Sequence, residues 1–212
     1  FILSTGPLIL ENNIKIRCIN YIKEPKLIEE NLKLSPIKYS YVADIKYAFD
    51  PQKAMSILDE AGWIIDSDGV RTKTIKAKDK NGKDETLKLE VVITTSSWPE
   101  LAAVADLLKT QWETVGAKVT VKKLSVTEIQ QAIKERDYAA LLFGEVLGLE
   151  PDPFSFWHSS QKKDPGLNLA LYDNGDADKI LENARQIMDP VKRKEQYAKL
   201  QNIIVNDVPV VF

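Results

Sequence analysis

The chain is poor in the residues from which most site chemistry is assembled. It has one histidine, His158, and one cysteine, Cys18, in 212 residues. A lone cysteine closes no internal disulfide, which excludes a disulfide-stapled scaffold. One His and one Cys cannot supply a His/Cys zinc site. No G-x-G-x-x-G and no G-x-x-x-x-G-K-[ST] segment is present, so no glycine-rich phosphate cradle is advertised. There is no G-x-S-x-G nucleophile elbow either. A Ser-His-Asp triad would have to be built on His158, and Ser155, Ser159 and Ser160 lie too close to it in sequence for a scaffold to aim them. No apolar run reaches the roughly 18–20 residues of a membrane span. Basic and acidic residues are interspersed, 29 against 31, for a formal net charge of −2. That balance gives no electrostatic reason to expect a nucleic-acid partner. These absences point away from an enzyme, a metal site and a resident cofactor.

What is present suits a soluble globular chain, 44% hydrophobic and 28% charged. The opening "FILSTGPLIL" lacks a basic leader and a typical cleavage site, and the chain stops in the apolar "VPVVF". Both ends read as a piece of something longer. Residues 1–49 are weakly patterned, with room for a short helix between Pro25 and Pro36. The pattern then sharpens. In "DPQKAMSILDEAGW", Asp50 suits an N-cap, Pro51 the first helical position, and Gly62 the close of the helix. Asp68-Gly69 and Asn81-Gly82 are hairpin-turn dipeptides and predict a small antiparallel meander with two-residue turns.

Strand and helix alternate from there. "LKLEVVITT" alternates apolar and polar and reads as one strand. "SWPE" predicts a capping box from Ser97 to Glu100, opening a helix with Leu101, Val104, Ala105, Leu108, Trp112 and Val115 on one face. "AKVTVKKL" is a second strand, and "SVTE" predicts a second capping box from Ser125 to Glu128. "YAALLFGE" is apolar on both faces, as a central strand should be. Strands joined by helices run parallel. Two more helices are expected at 176–188 and 190–205, punctuated by Asp189-Pro190. Trp63, Trp98 and Trp112 fall on helix or hairpin patterns and are assigned to packing.

The third strand feeds "PDPFSFWHSSQ", residues 151–161. In open α/β sheets ligands gather beyond the carboxyl ends of strands, so this aromatic loop is placed to wall a cleft. If the loop is extended, Phe154 and Phe156 point in opposite directions.

Taken in order, "FDPQKAMSILDEAGW", "DGVR", "LKLEVVITT", "LAAVADLLKTQWETVGAKVTV", "RDYAALLFGE", "PDPFSFWHSS", "NLALYDNGDADKILENAR" and "YAKLQNIIVNDVPVVF" resemble the peptide-binding family of extracellular solute-binding proteins. The resemblance covers about residues 36–212. It implies an α/β, periplasmic-binding-protein-like (type II) lobe: a mixed, mostly parallel sheet flanked by helices, with a small antiparallel hairpin region. Residues 1–212 would be a single C-terminal lobe of a larger two-lobed protein, with 1–49 its weakly patterned start. A second lobe of the same protein would close on a peptide ligand and present it to ABC permease subunits. The receptor would be a monomer outside the cytoplasm, periplasmic or lipid-anchored. A related receptor for a nickel complex, heme or an oligosaccharide, or a scaffold or holdase-type domain, are the alternatives.

The sequence departs from the family pattern at one telling place. The third strand of well-known peptide receptors ends in Gly-Trp, and an Asp before the next proline pairs the peptide's amino terminus. Here the strand ends Gly144-Glu145, and Leu149 stands where that Asp is expected. Glu145, Glu150 or Asp152 could supply the carboxylate from a shifted position, or the terminus is not fixed at all. The candidate ligand-binding residues are Glu145, Asp152, Phe154, Trp157, His158 and Asn168. For Trp157 core packing is an equal reading, for His158 a structural hydrogen bond, and for Asn168 capping of its own loop.

Overall fold

The computed structural model describes residues 2–5, 49–77, 83–144 and 152–211. They fall into two units. The first holds β1 (Ile2–Thr5) and the segment from Pro51 to Gly144; the second holds the segment from Asp152 to Val211. The helix expected between Pro25 and Pro36 and the Asn81-Gly82 turn lie outside the described residues.

In the first unit, α1 (Pro51–Glu60) starts on Pro51, whose ring pre-sets the helical φ, and buries Leu58. It closes through Gly62 at φ +83°, a conformation that costs other residues energy. Trp63 N–H then donates to Leu58 O at 2.9 Å. The chain turns into the expected meander. β2 (Ile64–Ile65), β3 (Arg71–Ile75) and β4 (Glu85–Lys88) pair antiparallel, with Ile65 opposite Arg71 and Ile75 opposite Glu85. The first turn is longer than the two-residue type that Asp68-Gly69 suggests. It spans residues 66–70, because Asp66 Oδ1 accepts from both Asp68 N–H (2.8 Å) and Val70 N–H (3.1 Å). That aspartate-nucleated turn satisfies two backbone donors a tighter turn would leave to water.

"LKLEVVITT" is two strands. β4 ends at Lys88, and β5 (Glu90–Ser96) begins in a different sheet. Leu89 joins them: its N–H donates to Arg71 O at 2.8 Å, and its carbonyl accepts from Lys118 N–H at 2.8 Å. Leu89, Val91 and Ile93 are all buried, so the period of two runs through the break and hides it from a periodicity reading.

The larger sheet of this unit is ordered β6-β5-β7-β1. β6 (Lys118–Leu124) lies parallel to β5 from Glu90↔Lys118 to Ser96↔Leu124. β7 (Ala140–Phe143) lies parallel on the other side of β5, with Ile93 opposite Ala140. β1 pairs β7 antiparallel, Ile2 opposite Phe143. β7 is thus central, as its apolar run predicts, and Ala140, Leu141 and Leu142 are buried. The sheet is mixed and mostly parallel.

Two helices cover it. α2 (Pro99–Thr114) buries Leu101, Ala105, Leu108 and Trp112. The capping box expected at Ser97 is not formed; Pro99 takes the first helical position and Trp98 becomes the cap, without a side-chain bond. The reason is visible in the ladder. Ser97 N–H donates to Leu124 O at 2.7 Å, extending the β5–β6 pairing, so it is not available to Glu100. Trp98, expected to pack, is 65% exposed instead, whereas Trp63 and Trp112 are buried as expected. α3 (Val126–Glu135) does open on its predicted capping box. Ser125 N–H donates to Glu128 Oε2 at 2.9 Å, and Glu128 N–H donates back to Ser125 Oγ at 3.4 Å. The Ser125 hydroxyl first, and its backbone N–H second, hold the Glu128 carboxyl below its ordinary pKa.

Arg71 ties this unit together. It is only 2% exposed. Its guanidinium donates to Val115 O (2.7 Å) and Trp63 O (2.6 Å) and pairs with Asp59. Gly116, at φ +90°, lies against it; a Cβ there would stand 2.8 Å from Arg71 Cγ.

The second unit is built on helices. α4 (Phe154–Trp157) is a single turn, followed by a 3-10 turn at Ser159–Gln161. α5 (Gly175–Gln186) is capped by Asn174 Oδ1, which accepts from Asp176 N–H and Ala177 N–H at 3.0 and 3.2 Å. α6 (Pro190–Asp207) starts as Asp189-Pro190 predicts, with Asp189 Oδ1 accepting from Val191 N–H at 2.9 Å. α5 and α6 pack on each other through Ala177, Leu181 and Ala184 on one and Leu200 and Ile204 on the other. β8 (Val210–Val211) follows.

Candidate ligand-binding segment

The segment from Asp152 to Tyr172 is the aromatic loop of the sequence reading, and its side chains are tightly organised. Phe154 to Trp157 form a helical turn, so Phe154 and Phe156 are not on the opposite faces of an extended strand. Asp152 Oδ1 accepts from Phe154 N–H at 3.1 Å and starts that turn. Asp152 Oδ2 takes two donors from Arg185 of α5, Nε at 2.8 Å and Nη2 at 2.7 Å. The Arg185 guanidinium carbon also lies 4.1 Å from the centroid of the Phe154 ring.

His158 is stacked on that same ring, centroids 4.1 Å apart and planes 17° from parallel. His158 is buried, with its side chain 10% exposed. Ser160 N–H donates to its Nδ1 at 3.1 Å, which makes Nδ1 an acceptor and leaves the proton on Nε2. Nε2 donates to Glu182 Oε1 at 3.3 Å. The ring therefore caps the 3-10 turn at one nitrogen and reaches α5 at the other. The Ser160 hydroxyl is 2.8 Å from Nδ1. Even so, the lone pair it would need for nucleophilic activation is already aimed at the Ser160 amide.

Asn168 is fully buried, and its amide is spent inside the segment. Nδ2 donates to His158 O (3.1 Å) and Tyr172 O (2.9 Å); Oδ1 accepts from Tyr172 N–H (2.9 Å). This is the loop-capping arrangement. Trp157 is partly exposed and meets Tyr172 edge-on, centroids 6.0 Å apart at 85°. The Tyr172 hydroxyl donates to Asp207 Oδ2 at 2.7 Å; burial first, and that carboxylate second, push the phenol's pKa well up. Glu145 and Glu150 lie outside the described residues.

Of the predicted site residues, the structure gathers Asp152, Phe154, Trp157, His158 and Asn168 into one cluster. Sequence reasoning missed one participant in this cluster, and separately the exposure of Trp98 in the first unit. Arg185 sits in the last turn of α5, where a basic residue is expected for the helix dipole alone. Trp98 stands exposed just past the carboxyl end of β5, a strand tip where ligands of α/β sheets collect. Its signal was Pro99, which moves the helix start one residue on. Among the described residues no group of His, Cys, Asp or Glu side chains is placed to hold a metal ion, and no helix is long and apolar enough to cross a membrane.

A type II periplasmic-binding-protein fold is what these elements make, as comparison with solved structures bears out. The oligopeptide-binding protein AppA from Bacillus subtilis, in complex with a nonapeptide, superposes with a TM-score of 0.77 at 23% identity, over 99% of this chain and 43% of that one. NikZ from Campylobacter jejuni, in complex with Ni(L-His), gives 0.74 at 24% identity, over 100% and 43%. The profile of the bacterial extracellular solute-binding proteins, family 5 (middle region), matches residues 28–167, and the chain belongs to that family. Among curated relatives, the oligopeptide-binding protein AppA of Bacillus subtilis (strain 168) is 29% identical over 187 residues, 84% of this chain and 32% of that protein. Heme-binding protein A of Haemophilus influenzae is 26% identical over 212 residues, 93% of this chain and 36% of that protein. The chain thus spans about a third of the length of the curated relatives it matches. The family is one of solute-binding proteins and not of enzymes.

Proposed function

We propose that residues 1–212 serve as one lobe of the substrate-binding component of an ABC importer, which captures peptides between two lobes and delivers them to a membrane permease. The observation that carries this reading is membership of the solute-binding family together with 29% identity, over 84% of the chain, to an oligopeptide-binding relative. A second lobe of the same protein completes the clamp, and the receptor works outside the cytoplasm as a monomer. The bound peptide is extended, with its backbone hydrogen-bonded as in strand addition. Side chains sit in wet pockets where water adapts to different residues. Contacts to both lobes drive hinge closure, and no covalent step is needed. On this lobe the ligand meets Phe154 and Trp157, and Glu145 is kept as a ligand contact on the sequence pattern alone. Asp152, His158 and Asn168 hold that surface in place.

A non-peptide solute is the second reading. It is favoured by the replacement of the amine-pairing Asp by Leu149 and by the similarity to a heme-binding relative along 93% of the chain. Mass spectrometry of small molecules released from the purified full-length receptor separates the two. Short peptides are the expected result; repeated recovery of heme, a metal complex or a sugar alone would reject the peptide reading.

A further inference from the structure

We infer that Arg185 is the positioning residue of the aromatic turn and that it withdraws Asp152 from ligand recognition. This rests on the peptide-receptor reading above and deepens it, by saying which carboxylate does not read the peptide's amino terminus. The geometry carries it. Both oxygens of Asp152 are occupied, Oδ1 by Phe154 N–H and Oδ2 by two nitrogens of Arg185. An approaching ammonium finds one acceptor site left, on Oδ1, of a carboxylate whose charge is already matched by a guanidinium making two charge-assisted bonds to the other oxygen.

Arg185 acts at a second point. Its guanidinium lies 4.1 Å from the Phe154 centroid, and the His158 ring is stacked at 4.1 Å from the same centroid. Phe154 is thus contacted by both groups. The His158 end of the turn is fastened to the same helix. Glu182 accepts from His158 Nε2 at 3.3 Å, and Asp178 accepts from Ser159 N–H and Oγ–H at 2.9 and 2.6 Å. Asp178, Glu182 and Arg185 follow one another at i, i+4 and i+7, which puts them on one face of α5. That face clamps the turn at three points. A lysine could not replace the arginine, because a point-like ammonium cannot both stack on the ring and present two N–H groups to one carboxylate.

The experiment uses the full-length receptor with a pool of synthetic random-sequence hexapeptides carrying free amino termini, and the same pool N-acetylated. Retained peptide is read by mass spectrometry for wild type, Asp152→Asn, Arg185→Gln and Arg185→Lys. Hydrogen exchange of the amides of residues 154–158 is measured without ligand. Asp152→Asn is expected to leave the ratio of free to acetylated peptide unchanged. Arg185→Gln and Arg185→Lys are both expected to lower retention of the two pools together and to speed exchange at 154–158. A loss of about tenfold or more in the free pool alone on Asp152→Asn, the size of one charge-assisted bond, would overturn the inference. Unchanged exchange in Arg185→Gln would overturn it as well. If the wild type retains neither pool, the peptide-receptor reading fails, while the exchange measurement, which needs no ligand, still decides the positioning role.

Discussion

Arg71 and Asn168 are polar side chains buried among apolar ones, and each is stable there because its hydrogen-bonding groups find backbone partners. For Arg71 the ion pair is the smaller part of the matter. Asp59 is 64% exposed and can be rehydrated, whereas the carbonyls of Trp63 and Val115 depend on the guanidinium. Arg71→Ala should therefore destabilise the protein by about 2–4 kcal/mol, from two orphaned carbonyls and the lost packing. Asp59→Asn should cost less than about 1 kcal/mol, as exposed ion pairs generally do. Urea unfolding of the two variants separates these contributions, and equal costs would mean that the ion pair dominates. Neither role could be read fully from sequence. No periodicity marks Arg71, because its three partners come from residues 59, 63 and 115. Asn168 could be picked out as an amide in a loop, but donor and acceptor capacity is equally useful to a ligand and to the loop itself.

At the scale of elements, boundaries written in local chemistry were legible and boundaries set by a neighbouring strand were not. The Ser125–Glu128 box and the Asp189-Pro190 start use only residues within one turn, and both stand where the sequence puts them. The Ser97 box fails because Ser97 N–H is claimed by Leu124, a residue on another strand. The formed box makes a pH prediction. The folded pKa of Glu128 lies below its ordinary value, so its capping contribution is present above the usual carboxylate range and is lost as pH falls through the lowered value. A carbon NMR titration of the Glu128 carboxyl should give a midpoint below that of an unperturbed glutamate. Ser125→Ala should move that midpoint back up, because it removes the largest cause of the shift.

For the whole molecule, family resemblance and the parallel direction of β5, β6 and β7 were legible, since strands joined by helices run parallel; that β5 lies between the other two was not. Nor was the antiparallel partner of β7. It comes from residues 2–5, at the far end of a weakly patterned stretch, and no local rule links Ile2 to Phe143. The cluster around Phe154 was half legible: the aromatic loop announced itself, while the helix face that holds it lies some 20 to 30 residues further on. On the two-lobed reading proposed above, half a clamp offers a fraction of the contacts and stays open to water, so residues 1–212 alone should bind peptides weaker than micromolar. Isothermal titration calorimetry of the fragment against those peptides checks this, and micromolar or tighter binding would contradict the two-lobed reading.

The junction at Leu89 has a practical outcome. One residue separates the meander from the larger sheet, and main-chain bonds from Arg71 and Leu89 to Gly116 and Lys118 stitch the two together on either side of it. So short and doubly fastened a joint leaves no room for a swivel. A fluorescent dye carried at Thr86, exposed on the meander, should travel with the sheet as a passenger on one rigid lever, reporting the rotation of this unit and none of its own.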